Sequence, residues 1–228
     1  METIAENRLR EASPDTVYKG AAFIDVGGLN DTRYRGLLVF DLEQYRGSGI
    51  NNAALSIYWY YPAGKTRPED TIVEVYRPAS SWNPDYVSWN KRDKDVSWKN
   101  PGGDWYDKNG VLQGSTPYAS ITLKGSELPD NKYHEIDVTE LVKEYVTGKY
   151  ENTGFIIKAR TENNNYIAFS SSKEDEKKPT FSISVQEPEK KQDVWLIIPF
   201  ATETEANEIK TQMLEKYKGI SIYTRLKE

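Results

Sequence analysis

Residues 6–28 read ENRLREASPDTVYKGAAFIDVGG, residues 33–42 RYRGLLVFDL and residues 51–61 NNAALSIYWYY. Apolar residues recur at every second position within these runs, and Gly, Pro, Asn and Asp cluster between them. That is the pattern of short antiparallel strands with one face in a core. It continues to about residue 187, with strands expected at 4–10, 21–26, 34–42, 53–61, 71–77, 119–123, 133–138, 154–160, 165–170 and 180–185. Side chains alternate between the two faces of a strand, so parity assigns each residue a side. Leu55, Ile57 and Trp59 go inward and Tyr58 and Tyr60 outward. Leu38, Phe40 and Leu42 go inward, with Arg33, Arg35, Leu37 and Val39 opposite. Phe155 and Ile157 go inward, leaving Lys158 and Arg160 outside.

One helix interrupts the strands at about 138–147. Thr139 is placed as its N-cap, Leu141, Val142, Tyr145 and Val146 share a stripe, and Gly148 ends it. The stretch 80–117 has no regular period, and a segment that long either packs with its own side chains or serves a site. Trp82 and Trp89 are expected to anchor it, with Trp98 and Trp105 left open between packing and exposure. After the polar run at 188–192 the pattern changes. An apolar strand at 194–198, a helix at 203–217 with Ala206, Ile209, Met213, Leu214 and Tyr217 on one face, and a strand at 221–224 form a small β-α-β appendage.

The run Glu6-Asn7-Arg8-Leu9-Arg10-Glu11 resembles the signature of the disaggregatase-related repeat, or DNRLRE domain, with Glu in place of the leading Asp. The resemblance continues in order through SWNPDYVSWNKRDKDVSWKNPGGDW (81–105), YHEIDVTELVKEYVTGK (133–149), NTGFIIKA from 152, FSSS from 169 and PTFSISV (179–185). It implies a jelly-roll relative of carbohydrate-binding modules, of a kind found on archaeal cell-surface proteins and beside polysaccharide-degrading domains. The expected architecture is therefore an all-β, jelly-roll-like antiparallel sandwich over residues 1–187 with one short helix, followed by the appendage at 188–228. An extracellular or cell-surface location is implied by the same resemblance.

The composition sets outer bounds. The chain has 228 residues, enough for one well-filled sandwich, and its 12% aromatic content, with sixteen Tyr and six Trp, offsets a low hydrophobic fraction of 37%. A net charge of −5 with interspersed signs gives no general attraction to nucleic acid or anionic lipid. There is no cysteine, which removes disulfides and thiolate chemistry. The sequence contains no apolar run long enough to insert in a membrane, and its first residues lack a signal peptide's pattern, so the chain is expected to be a piece cut from a longer protein.

Catalysis is not expected. His134 is the only histidine, shares parity with Ile136 and Val138, and is expected to be structural. Acidic pairs are too common in this composition to indicate glycosidase chemistry. Glu11, Asp41 and Asp137 lie in motif blocks where either a structural calcium ion or a buried hydrogen-bonding role accounts for a carboxylate. Asp104–Gly110 is expected to be a solvated turn. Outward parity gathers Arg33, Arg35, Lys158 and Arg160 with Tyr58 and Tyr60, and Lys19 lies in an adjoining loop. Arg matches a carboxylate and Tyr offers a sugar both a flat face and a hydroxyl. The expected function is noncatalytic binding of an acidic, uronic-acid-containing polysaccharide. The alternatives are a structural envelope module acting through protein contacts, or an accessory domain of a polysaccharide-degrading enzyme. The appendage is expected to dock on the sandwich, to pair with a second copy or to meet a neighbouring domain.

Overall fold

The computed structural model describes residues 3–186, 202–217 and 222. In chain order its strands are β1 (Thr3–Arg10), β2 (Phe23–Leu29), β3 (Thr32–Phe40), β4 (Ile50–Tyr61), β5 (Thr71–Pro78), β6 (Lys91–Asp93), β7 (Val96–Ser97), β8 (Trp105–Tyr106), β9 (Ala119–Leu123) and β10 (Lys132–Asp137). After helix α1 (Thr139–Val146) come β11 (Phe155–Ala159), β12 (Ile167–Ser170) and β13 (Thr180–Val185). All ten strands expected before residue 187 are present with ends moved by a few residues. The three additional strands, β6 to β8, are two or three residues long and too short to carry a period.

One hydrogen-bonded antiparallel sheet curls into the two layers of a sandwich. In the first layer β3 carries β1, while β11 links β3 to β5, which is extended by β9 and β8. In the second, β4 carries β10, β12 and β13. Strand β2 belongs to both layers. Its first residues pair with β12, Val26 opposite Ile167, and its last pair with β3, Gly27 opposite Tyr34. The hand-over falls at Gly27-Gly28. A Cβ on Gly27 would lie 2.6 Å from the Asn165 carbonyl oxygen and one on Gly28 2.2 Å from that of Glu162, so a side chain fits at neither position.

Between the layers lies the main core, with Leu38, Phe40, Leu55, Ile57, Trp59, Phe155 and Ile157 buried as parity places them. A second core lies on the outer face of the first layer. There Leu9, Leu37, Tyr76 and Ile156 are covered by Val87, Trp89, Trp98 and Trp105, with Trp82 packed alongside. The segment between β5 and β9 is therefore a packed third layer. Trp82 Nε1 donates to the Thr153 carbonyl (3.1 Å), Trp98 Nε1 to that of Ser88 (3.0 Å) and Trp105 Nε1 to that of Gly114 (2.9 Å). The turn expected to be solvated is buried at both its carboxylates. Asp104 accepts from the Lys99 and Asn100 amides, and Asp107 from those of Asn109 and Val111, because a tight chain reversal leaves amide donors without backbone partners.

Helix α1 buries its expected stripe, Leu141, Val142, Tyr145 and Val146, and ends before Gly148, whose φ is +75°. The cap differs from expectation. Val138 occupies the N-cap position, Asp137 Oδ1 accepts from the Thr139 amide (2.9 Å), and the Thr139 hydroxyl instead accepts from the Ala53 amide (2.9 Å), tying the helix to β4.

The chain divides into two units, Met1–Glu187 and Pro188–Glu228. In the second, helix α2 (Glu203–Lys216) starts at Thr202, whose hydroxyl accepts from the Glu205 amide. On its expected apolar face Ala206 is buried, while Leu214 and Tyr217 are exposed. Apart from Ile222, the strands expected at 194–198 and 221–224 lie outside the described residues.

Candidate functional site

Strand β1 presents its alternate residues to different parts of the sandwich. Glu6 Oε1 accepts from the Ser172 amide (2.8 Å) and hydroxyl (2.7 Å). Arg8 grips the fully buried Asp25 of β2, with Nε donating to Oδ1 at 2.9 Å and Nη2 bonding Oδ2, while the Tyr166 hydroxyl also donates to Oδ2 (3.0 Å). On the other parity, Asn7 Nδ2 donates to the Pro84 carbonyl (3.2 Å), Leu9 enters the second core, and Glu11 receives Arg33. The signature run thus staples both layers and the third-layer segment together.

The seven expected ligand-binding residues do not share a face. Arg35 is 4% exposed; its Nε and Nη2 donate to Glu162 (2.7 and 2.8 Å), its Nη1 donates to the Gly102 carbonyl, and the guanidinium lies over the rings of Trp89 and Trp105. Lys158 is also buried, donates to the Ala159 carbonyl and lies over Tyr76 and Trp105; desolvation pulls its pKa below the usual lysine range. Arg160 is exposed but donates to Glu74 (2.7 Å), and Lys19 pairs with Asp85. Arg33 is exposed, lies over Trp89 and is bonded twice to Glu11 (2.9 and 2.6 Å). Of this basic set Arg35 and Lys158 are therefore covered by the third layer, while the exposed Arg33, Arg160 and Lys19 are each paired with a carboxylate. Parity identifies residues that point away from the main core, but not what lies against them. Arg33 lines a shallow groove of about 360 Å³ with Asn30, Asp31, Asn163 and Asn164, where Glu11, Asp31 and Glu162 make the balance of charge unfavourable for an acidic sugar.

Glu11, Asp41 and Asp137 are not a ligand set. Glu11 is held by Arg33, Asp41 Oδ1 accepts from the Glu43 amide, and Asp137 caps α1. Among the described residues no three His, Cys, Asp or Glu side chains gather where they could hold a metal ion. His134 Nε2 bonds to Asp130 (3.1 Å), and its ring meets Trp59 edge-on at 5.8 Å.

Tyr58 and Tyr60 do point outward from β4, and they belong to a longer row on the second layer. Tyr133 of β10 stands opposite Tyr58 in register, with ring centroids 5.4 Å apart. Tyr61 meets Tyr60 at 6.4 Å and Tyr166 at 5.7 Å, and Tyr166 meets Tyr34 at 4.7 Å. Tyr61 and Tyr133 are 41% and 40% exposed, and Tyr58, Tyr60 and Tyr166 are partly buried. Burial raises the phenols of Tyr60, Tyr133 and Tyr166 above their usual range, so each remains a hydroxyl donor at neutral pH. At one end Lys177 Nζ lies 5.2 Å from the ring centre of Tyr58. Tyr61, Tyr133 and Tyr166 escape a strand-by-strand reading because only the register of β10 and β12 on β4 brings them to Tyr58 and Tyr60.

The family model of the disaggregatase related repeat domain matches residues 6–185. The chain belongs to this family. A search of curated proteins finds no match. The disaggregatase-related repeat domain thus runs from the first residue of the β1 staple to the last residue of β13, and it contains the whole tyrosine row. The signature run of this domain also carries a pH-sensitive group. Burial raises the Glu6 carboxyl above its usual range against the opposing bonds from Ser172, and Glu6 Oε2 has no hydrogen-bond partner among the described residues. A folded-state pKa above the unfolded value of 4.5 means that stability is fully present below 4.5 and falls as pH rises through the folded value. Glu6→Gln is therefore expected to raise the melting temperature at neutral pH by about 2–4 °C, the shift for about 1 kcal/mol in a chain this size. Below pH 4.5 the gain disappears, as paired melting curves would show.

Proposed function

We propose that this disaggregatase-related repeat domain is a noncatalytic, extracellular or cell-surface module that holds a polysaccharide along its tyrosine row. The row itself carries this reading. A tyrosine offers the apolar face of a sugar ring a flat surface and offers its hydroxyls a polar edge, and five partly or largely accessible tyrosines in sequence suit an extended chain better than a single small molecule. The finer reading, an acidic uronic-acid-containing polysaccharide, is supported by Lys177, which sits over Tyr58 and pairs with no carboxylate among the described residues. Its neighbours Glu174, Asp175 and Glu176 temper that attraction, so the salt dependence is expected to be modest. The noncatalytic part is supported by the engagement of His134 with Asp130 and Trp59. Among the described residues no helix is long and apolar enough to cross a membrane.

Affinity electrophoresis and calorimetry with a polyuronate and a neutral glucan test the reading. Tyr58→Ala combined with Tyr133→Ala removes two ring faces, each stacking pair contributing about 0.5–1.5 kcal/mol, and is expected to weaken binding about tenfold, with circular dichroism and melting curves checking that the domain remains folded at the assay temperature. Lys177→Ala is expected to affect only the charged polymer. Unchanged binding in the double variant would place the site elsewhere, and release of reducing ends or unsaturated uronates by the purified domain would refute the noncatalytic assignment.

A further inference from the structure

Arg8 and Arg10 belong to the same strand and point to the same side, yet the structure gives them different chemistry. Arg8 is saturated by Asp25, and Arg33 and Arg35 are each bonded twice to a carboxylate. Arg10 pairs with no carboxylate among the described residues. Its guanidinium lies 5.9 Å from the ring centre of Tyr34, the phenols of Tyr18 and Tyr34 are its polar neighbours, and its Nε is buried without a hydrogen-bond partner among the described residues. Tyr34 is also the last ring of the tyrosine row, in contact with Tyr166. Near each end the row therefore has a cation without a carboxylate partner among the described residues, Lys177 over Tyr58 and Arg10, beside the paired Arg8, over Tyr34.

We propose that Arg10 is a specificity-determining ligand residue that receives the carboxylate of a sugar bound at the Tyr166–Tyr34 end of the row. The proposal rests on the polysaccharide-binding reading of that row and names the group the far end selects. The guanidinium fork matches a carboxylate edge to edge, and the neighbouring phenols of Tyr18 and Tyr34 supply no full negative charge. A uronate would complete a pairing that Arg8, Arg33 and Arg35 already have inside the protein. A neutral sugar would gain the stacking on Tyr166 but leave the fork unmatched.

The test uses sodium alginate and the same polymer after chemical reduction of its carboxyl groups, with Arg10→Gln, Arg10→Lys and the Tyr58→Ala/Tyr133→Ala variant. Loss of a charge-assisted bond is expected to weaken alginate binding about ten- to a hundredfold in Arg10→Gln and to flatten its salt dependence, with the reduced polymer bound as before. Arg10→Lys keeps the charge but not the fork, so its salt dependence is expected to persist with intermediate affinity. Equal loss for both polymers in Arg10→Gln, or no loss for alginate, overturns the role of Arg10 and leaves the tyrosine row intact. Failure of the unmodified domain to bind either polymer overturns both readings.

Discussion

Replacement of Asp25 by alanine is expected to lower the unfolding free energy by about 3–5 kcal/mol, measured by urea denaturation. Asp25 is fully buried, and its two oxygens receive Arg8 and the Tyr166 hydroxyl. The alanine variant leaves the Arg8 guanidinium beneath Tyr18, Phe23 and Tyr34 with no counter-ion and removes the acceptor of the partly buried Tyr166 phenol. An uncompensated buried charge costs far more than the intact pair contributes, because the pair offsets its own desolvation only when complete. A double replacement, Arg8→Met with Asp25→Leu, is therefore expected to recover most of the loss. If Asp25→Ala costs less than about 1 kcal/mol, the level of an exposed pair, the stapling role assigned to the signature run is wrong.

Arg35→Ala and Arg33→Ala are expected to differ several-fold although the residues are two apart on β3. Arg35 is 4% exposed and holds Glu162 and the Gly102 carbonyl between two indole rings, so its loss strands a carboxylate that is itself 9% exposed and frees the third-layer segment. The expected cost is about 3–5 kcal/mol, accompanied by a change in tryptophan fluorescence from Trp89 and Trp105. Arg33 and Glu11 are 44% and 32% exposed, and an ion pair in that setting is worth about 0–1 kcal/mol. Comparable losses in the two variants would mean that the third layer does not depend on the charge beneath it.

The strands, their inward faces and the stripe of α1 were legible in the sequence because alternation and helical period are local properties. Three things were not. Leu37 and Ile156 are as buried as Leu38 and Phe155, but only the segment between β5 and β9 makes them so, and its strands are too short to announce themselves. The same covering turned Arg35 and Lys158 from expected ligand residues into packed cations. At the site, Tyr58 and Tyr60 could be read from parity on one strand, whereas Tyr61, Tyr133 and Tyr166 needed the pairing of separate strands. Arg10 could not be told from Arg8 in the sequence, since the difference lies in which of them meets Asp25.

The double membership of β2 also governs how the domain would bear a load. From Thr3 to Val185 the ladders run without a gap through β1, β3, β2, β12, β4 and β13, crossing between layers only within β2 itself. Tension applied between the ends of the sandwich passes along this series of main-chain hydrogen bonds. The layers cannot be drawn past one another until the β2 ladders rupture on one side of Gly27-Gly28, so the mechanical weak point coincides with the position where no side chain can be added.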